Sequence, residues 1–155
     1  MKSIAIKIIM CVAMLVASIQ ANAQVKAFEK YADTKNVTYV YISKYMLAMA
    51  GKNAAPSVPN VDMKSLANKL TGIQLINSDE KVARTRLKND VYSIITRDKY
   101  TLLMQVKEDD EKVDIYYHVD KRNSAVVMLV EEDDGVNVIV FSGTFTLDDV
   151  MKMTK

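Results

Sequence analysis

The chain has 155 residues, half of them hydrophobic, with 21 Lys and Arg against 19 Asp and Glu. A single cysteine and a single histidine exclude an intrachain disulfide framework, cysteine metal clusters and His-based metal sites. So small a charge imbalance gives no footing for nucleic acid or an anionic membrane surface.

Residues 1–23 read as a secretory signal peptide. Lys2 and Lys7 give a positive start, Ile8–Val16 an apolar centre, and Ala21-Asn22-Ala23 a small-x-small cleavage site. The apolar run is short for a membrane span, and no later segment replaces it. Cys11 lies inside that run, away from the cleavage point, so lipid anchoring is not expected. Cleavage after Ala23 leaves 132 residues, enough for one domain, 24–155, with its own core. The loss of Lys2 and Lys7 lowers Lys plus Arg to 19, equal to the 19 acidic residues. The mature chain then carries no net charge and no cysteine.

Ala27–Lys35 reads as a short helix with Phe28, Tyr31 and Ala32 on one face. Val37–Ser43 is β-branched and aromatic almost throughout, the mark of a strand interior to its sheet. Ser43 suits the cap of a helix over Lys44–Ala50, with Met46, Leu47 and Ala50 inward and Gly51 as its stop. Lys52–Asn60 holds both prolines, Pro56 and Pro59, and reads as a long loop. Asp62–Thr71 repeats Met63, Leu66, Ala67 and Leu70 at helical spacing and stops at Gly72. Ile73–Asn77 is a short strand. Ser78 opens the longest helix, reaching about Arg97. Asp79 and Glu80 stand at its positive end, and Ala83, Leu87, Val91, Ile94 and Ile95 form the buried stripe. Lys81, Arg84, Arg86 and Lys88 are expected to face water.

Four strands follow in a row: Tyr100–Lys107, Lys112–Val119, Ala125–Glu131 and Val136–Ser142. The gaps are too short for a crossover, which makes neighbours antiparallel. Gly135 is expected to supply a positive φ in the last turn. In such a meander the turns Glu108–Glu111 and Glu132–Gly135 share one end of the sheet, and Lys121 and Arg122 take the other. Thr146 and Asp149 have capping-box spacing, placing a closing helix at Leu147–Met153. The order is α+β: an antiparallel or mixed sheet of about six strands, with helices mainly on one face. The second face is not cleanly polar, because Ala125–Val130 and Val138–Phe141 are apolar at nearly every position.

The leader, Phe28, the run Val37-Thr38-Tyr39-Val40-Tyr41-Ile42-Ser43-Lys44, the segment Leu66–Ile73 ending Leu-Thr-Gly-Ile, and Ser142-Gly143-Thr144-Phe145-Thr146-Leu147-Asp148-Asp149 carry a resemblance. In these the chain resembles a family of small exported proteins of Bacteroidetes, catalogued as a domain of unknown function. The resemblance covers nearly all of the mature chain. It brings no established activity and no catalytic residues. Members lying near extracytoplasmic sigma-factor genes imply an envelope-stress or surface-sensing context.

Several side chains are candidates for function. Tyr39 and Tyr41 alternate on one strand face and Tyr45 follows, a platform for a ligand or partner or simply packing. Asp109, Asp110, Glu132, Asp133 and Asp134 in the acidic turns suit a basic partner or Ca²⁺, although neither turn follows the EF-hand pattern. Hairpin tips also carry charge merely to stay solvated and to block edge pairing. His118 shares a strand face with Asp114 and Tyr116 and is the one residue on which acid–base chemistry would have to rest. The methionines fall mostly on apolar stripes, as core filling. No G-x-S-x-G, Walker loop, H-E-x-x-H or G-x-G-x-x-G is present.

These features point to an exported, non-enzymatic interaction module that needs no cofactor and meets an envelope protein, or itself, through an apolar sheet face. A small-ligand or Ca²⁺ binder of the envelope is the alternative, and a hydrolase built on His118 ranks last. The protein recovered after export is expected to begin at Gln24 by intact-mass analysis. A mass that still contains residues 1–23 would contradict the leader reading.

Overall fold

The computed structural model describes residues 23–50, 68–121 and 123–152. Along the chain come α1 (Ala23–Glu29) with a 3-10 turn (Lys30–Asp33), β1 (Thr38–Ser43), α2 (Lys44–Ala50), β2 (Leu70–Ser78) and α3 (Lys81–Arg97). Then follow β3 (Thr101–Lys107), β4 (Glu111–Asp120), β5 (Asn123–Glu132), β6 (Val136–Gly143) and α4 (Leu147–Met151). The six strands form one sheet in the order β1-β2-β6-β5-β4-β3. Every pairing is antiparallel, so the fold is α+β.

The meander forms because its turns leave no alternative. Glu108 N–H donates to the Glu111 carbonyl at 2.8 Å, and Glu132 N–H to the Gly135 carbonyl at 2.9 Å. Both acidic turns lie at one end, where Glu111 pairs with Glu132 across β4 and β5. Gly135 does not hold the left-handed φ expected of it. It closes the turn just before β6, with its carbonyl accepting from Glu132 N–H. Among the described residues, the non-glycine ones with positive φ are Asn36 (61°), Lys99 (55°) and Lys121 (55°), the last in the β4–β5 turn.

Elsewhere tertiary pairing overrides local pattern. The C-terminal part of the expected helix over Asp62–Thr71 is strand, since Leu70 pairs with Gly143 and Gly72 with Ser142. Residues 62–67, the loop Lys52–Asn60 and Gly51 lie outside the described residues. Gly72 is a strand residue against the Tyr41 ring, where a Cβ would come within 2.8 Å of that ring's carbon. β1 is an edge strand rather than an interior one, with Val40 45% and Tyr41 48% exposed. Its mixed composition serves two half-covered faces, because β2 is its one neighbour in the sheet.

The helices begin and end on specific contacts. Ser78 ends β2, and its hydroxyl donates to the Asn36 carbonyl at 2.8 Å. Glu80 is the N-cap of α3, its carboxylate accepting from the Val82 and Ala83 N–H groups. Desolvation is small there, and those two backbone bonds hold its pKa below the usual range. Ser43 caps α2 through a 3.4 Å bond from Met46 N–H. The capping box of Thr146 and Asp149 is present at α4. Near α1 the 3-10 turn has three residues per turn, so Phe28 and Tyr31 are buried while Ala32 turns to solvent. Met46 is 56% exposed rather than inward, while Leu47 packs on the core.

The sheet carries a core on each face. On the helix face, Phe28, Tyr31 and the α3 stripe Leu87, Val91, Ile94 and Ile95 pack on Ile76, Val127, Leu129, Val136, Val138 and Val140. On the opposite face, among the described residues, Phe145, Val150 and Leu47 cover one end, over Ile73, Tyr117, Val126 and Phe141. The chain turns tightly into that cap. The Thr144 N–H donates to the Lys69 carbonyl at 2.9 Å, and a Cβ on Gly143 would lie 2.2 Å from that carbonyl oxygen. Gly143→Ala is expected to cost about 2–4 kcal/mol in chemical denaturation, because backbone must move to admit the methyl. An unchanged unfolding midpoint would contradict this packing.

Candidate functional site

The face opposite the long helix carries an apolar row that spans the whole sheet. Val40 pairs with Leu75, Leu75 with Ile139, Ile139 with Met128, Met128 with Ile115, and Ile115 with Met104. One side chain from each of the six strands thus stands in register. The edge members Val40 and Met104 are 45% and 44% exposed, and the four between them are half-buried. Adjacent strands lie about 4.8 Å apart, so the row is roughly 24 Å long. That is an exposed apolar feature of the kind that marks an interaction surface.

Two different borders flank the row. On one side stand Ile42, Ile73, Phe141, Val126 and Tyr117, one register step away, under Phe145 and α4. On the other side the next row reads Thr38, Asn77, Asn137, Val130, Val113 and Val106. The Asn77 side-chain amide donates to that of Asn137, and Asn137 donates to Glu132 at 3.2 Å. Beyond lie the acidic turns. The surface therefore runs from a buried core, through a half-buried apolar row exposed at both ends, to a mixed border and then the acidic turns.

Beneath the other face lies a buried ionic cluster between α3, β4 and β5. Asp114 is 1% exposed and accepts from Lys112 Nζ and Gln105 Nε2, both at 2.6 Å, from the Tyr92 hydroxyl at 3.1 Å and from the Tyr116 hydroxyl at 3.3 Å. Tyr92 also contacts Glu131, donating at 2.8 Å, and Lys88 of α3 pairs with the same carboxylate. Burial alone would raise the Asp114 pKa, but Lys112, Gln105 and Tyr92 outweigh it and hold the group below its usual range. Burial opposes the charge on Lys112, yet Asp114 and Tyr92 raise its pKa. Tyr92 is pushed up to about 12, first by burial. The cluster is saturated, and it fastens the helix to the sheet.

Alternation puts Asp114 beside Tyr116 and His118 on one face of β4, and α3 lies over that face. Lys88, expected in water, pairs with Glu131 while remaining 42% exposed, and Arg84 donates to the Asp133 carbonyl of the acidic turn at 2.7 Å.

The sequence candidates are dispersed. Tyr39 lies on the helix face, its hydroxyl accepting from Gln74 Nε2 at 2.8 Å. Tyr41 covers Gly72 on that same face of β1. Tyr45 is on α2, 70% exposed, with Lys44 Nζ 5.1 Å from its ring centroid. His118 stacks on Tyr100, with centroids 4.8 Å apart. Asp109, Asp110, Glu132, Asp133 and Asp134 are all exposed on the two turns at the rim. Among the described residues, no group of three or more His, Cys, Asp or Glu side chains is placed to hold a metal ion. An open groove along α3 is lined by Lys81, Val82, Thr85, Arg86, Asn89 and Asp90, with no tyrosine. No helix among the described residues is long and apolar enough to cross a membrane.

A family model described as a domain of unknown function (DUF4252) matches residues 31–153. No curated protein matches the chain. No solved structure matches it either.

Asp114→Asn leaves Lys112 without its closest anion and is expected to lower stability by about 3 kcal/mol at neutral pH. A depressed carboxylate stabilises the fold above its unfolded pKa, about 4, and that contribution is lost as pH falls through its folded value. The gap between wild type and variant should therefore narrow in acid. A gap independent of pH would contradict the ionic role of Asp114.

Proposed function

The chain belongs to the DUF4252 family. From its leader-like first residues and its apolar sheet face we propose that it is an exported, non-catalytic interaction module of a Bacteroidetes envelope. The proposed working surface is the apolar row from Val40 to Met104. The proposed occupant is an apolar segment of an envelope protein, with basic residues that meet the rim of Glu132, Asp133 and Asp134. The single observation that carries the reading is the in-register row, apolar on all six strands and exposed at its two ends, Val40 and Met104. Charge complementarity at the rim then sets direction and on-rate, while the apolar contact sets residence time. A stress-sensing or surface-sensing role is the context in which such a reversible contact would serve.

A photo-crosslinking residue placed at Val40 or Met104 tests the row in living cells. Val82, 73% exposed on α3, is the control position. Adducts heavier than two copies of the chain are expected from the row and not from Val82. Raised salt should slow their formation, since the rim is exposed. Equal labelling from Val82, or no adduct from either row position, would contradict the proposed surface.

A further inference from the structure

The sheet ends on one side at β3, whose outer edge has no neighbouring strand among the described residues. This edge is unusually apolar: Leu102, Met104 and Val106 are 47%, 44% and 41% exposed. It is also electrically directional. Lys99 precedes it, beyond an Arg97–Asp98 ion pair, and Glu108, Asp109, Asp110 and Glu111 follow its last residue, Lys107. An unpaired strand edge offers a row of backbone donors and acceptors to a second strand.

From this we infer that β3 pairs with β3 of a second copy of this chain, antiparallel, to join two sheets into one. The charge pattern selects that occupant. Antiparallel self-pairing brings the basic start of each β3 to the acidic end of the other. A two-fold centred on Met104 brings the turn residue Lys99 of each copy to the end of the joint where Asp109 of the other stands. The other free edge behaves differently, because β1 is flanked by Lys35 and Lys44. Self-pairing of β1 centred between Tyr39 and Val40 would set those two cations against each other.

The inferred two-fold runs perpendicular to the sheet, so like faces of the two copies lie on the same side. The apolar row, whose last member is Met104, then continues from one copy into the next. The register irregularity between Leu102 and Met104 limits regular pairing to the later part of the strand. The interface is correspondingly small, and the dimer reversible.

Sedimentation velocity of the purified protein over a range of concentrations tests this. Two variants are compared, Lys99→Glu and the double change Asp109→Lys with Asp110→Lys, each checked as folded by circular dichroism. The wild type should dimerise. Each variant alone faces like charge at both symmetric contacts and should dimerise on the order of tenfold more weakly. An equimolar mixture of the two variants restores opposite charges at both contacts, so a heterodimer of recovered affinity is expected. A wild type that stays monomeric up to roughly 1 mM would overturn the inference. So would variants that dimerise as well as wild type, or a mixture no tighter than its components.

Discussion

A sheet whose central strands are apolar on both faces has to be covered twice. β5 and β6 carry Val127, Leu129, Val138 and Val140 on one face and Val126 and Phe141 on the other, all buried. The 17-residue helix α3 is long enough to cover the first face across its central strands. The second face receives Phe145, the five-residue α4 and Leu47 of α2. Among the described residues, these reach one end of it. Everything distinctive about the molecule follows from that unequal cover.

The helix side shows how the unequal cover is balanced. Over β2, β6 and β5 the contact is aliphatic, which holds a helix without fixing its angle. At β4 the contact becomes ionic. Asp114, Lys112 and Glu131 meet Tyr92 and Lys88, and Lys30 with Tyr31 meets Asp90 on the far side of α3. Burial raises and then these donors lower the Asp90 pKa below its usual range. Polar contacts on both flanks orient the helix, and orientation is what directional bonds add to a hydrophobic seam.

The sequence disclosed what is local. Aliphatic runs broken by acidic turns announced the meander, and the spacing of Leu87, Val91, Ile94 and Ile95 announced α3. Thr146 and Asp149 announced the last cap. What is nonlocal stayed hidden. The insertion of β2 between β1 and β6 depends on pairing Ile73 with both Ile42 and Phe141, far apart in the chain. Local helical spacing at Leu70 lost to that ladder. The apolar row is nonlocal for the same reason: each member is an ordinary strand residue, and only the strand order aligns them. Asp114 looked like a solvent-facing carboxylate because nothing in β4 itself says that a helix lies above.

One consequence concerns the candidate residues. The tyrosines divide among a part-buried hydroxyl bond, a glycine cover and an exposed helix position. The acidic turns do gather at one end, beside the row. Apolar surface and acidic rim together define a partner's chemistry better than either does alone.

The central claim is that the row from Val40 to Met104 meets solvent, and methyl NMR with a soluble paramagnetic probe tests it most directly. The account predicts strong broadening of the Met104, Met128, Ile115 and Ile139 methyls, with Leu129, Val138 and Val140 protected under α3. Row methyls as protected as those under the helix would contradict it, because the face would then already be covered.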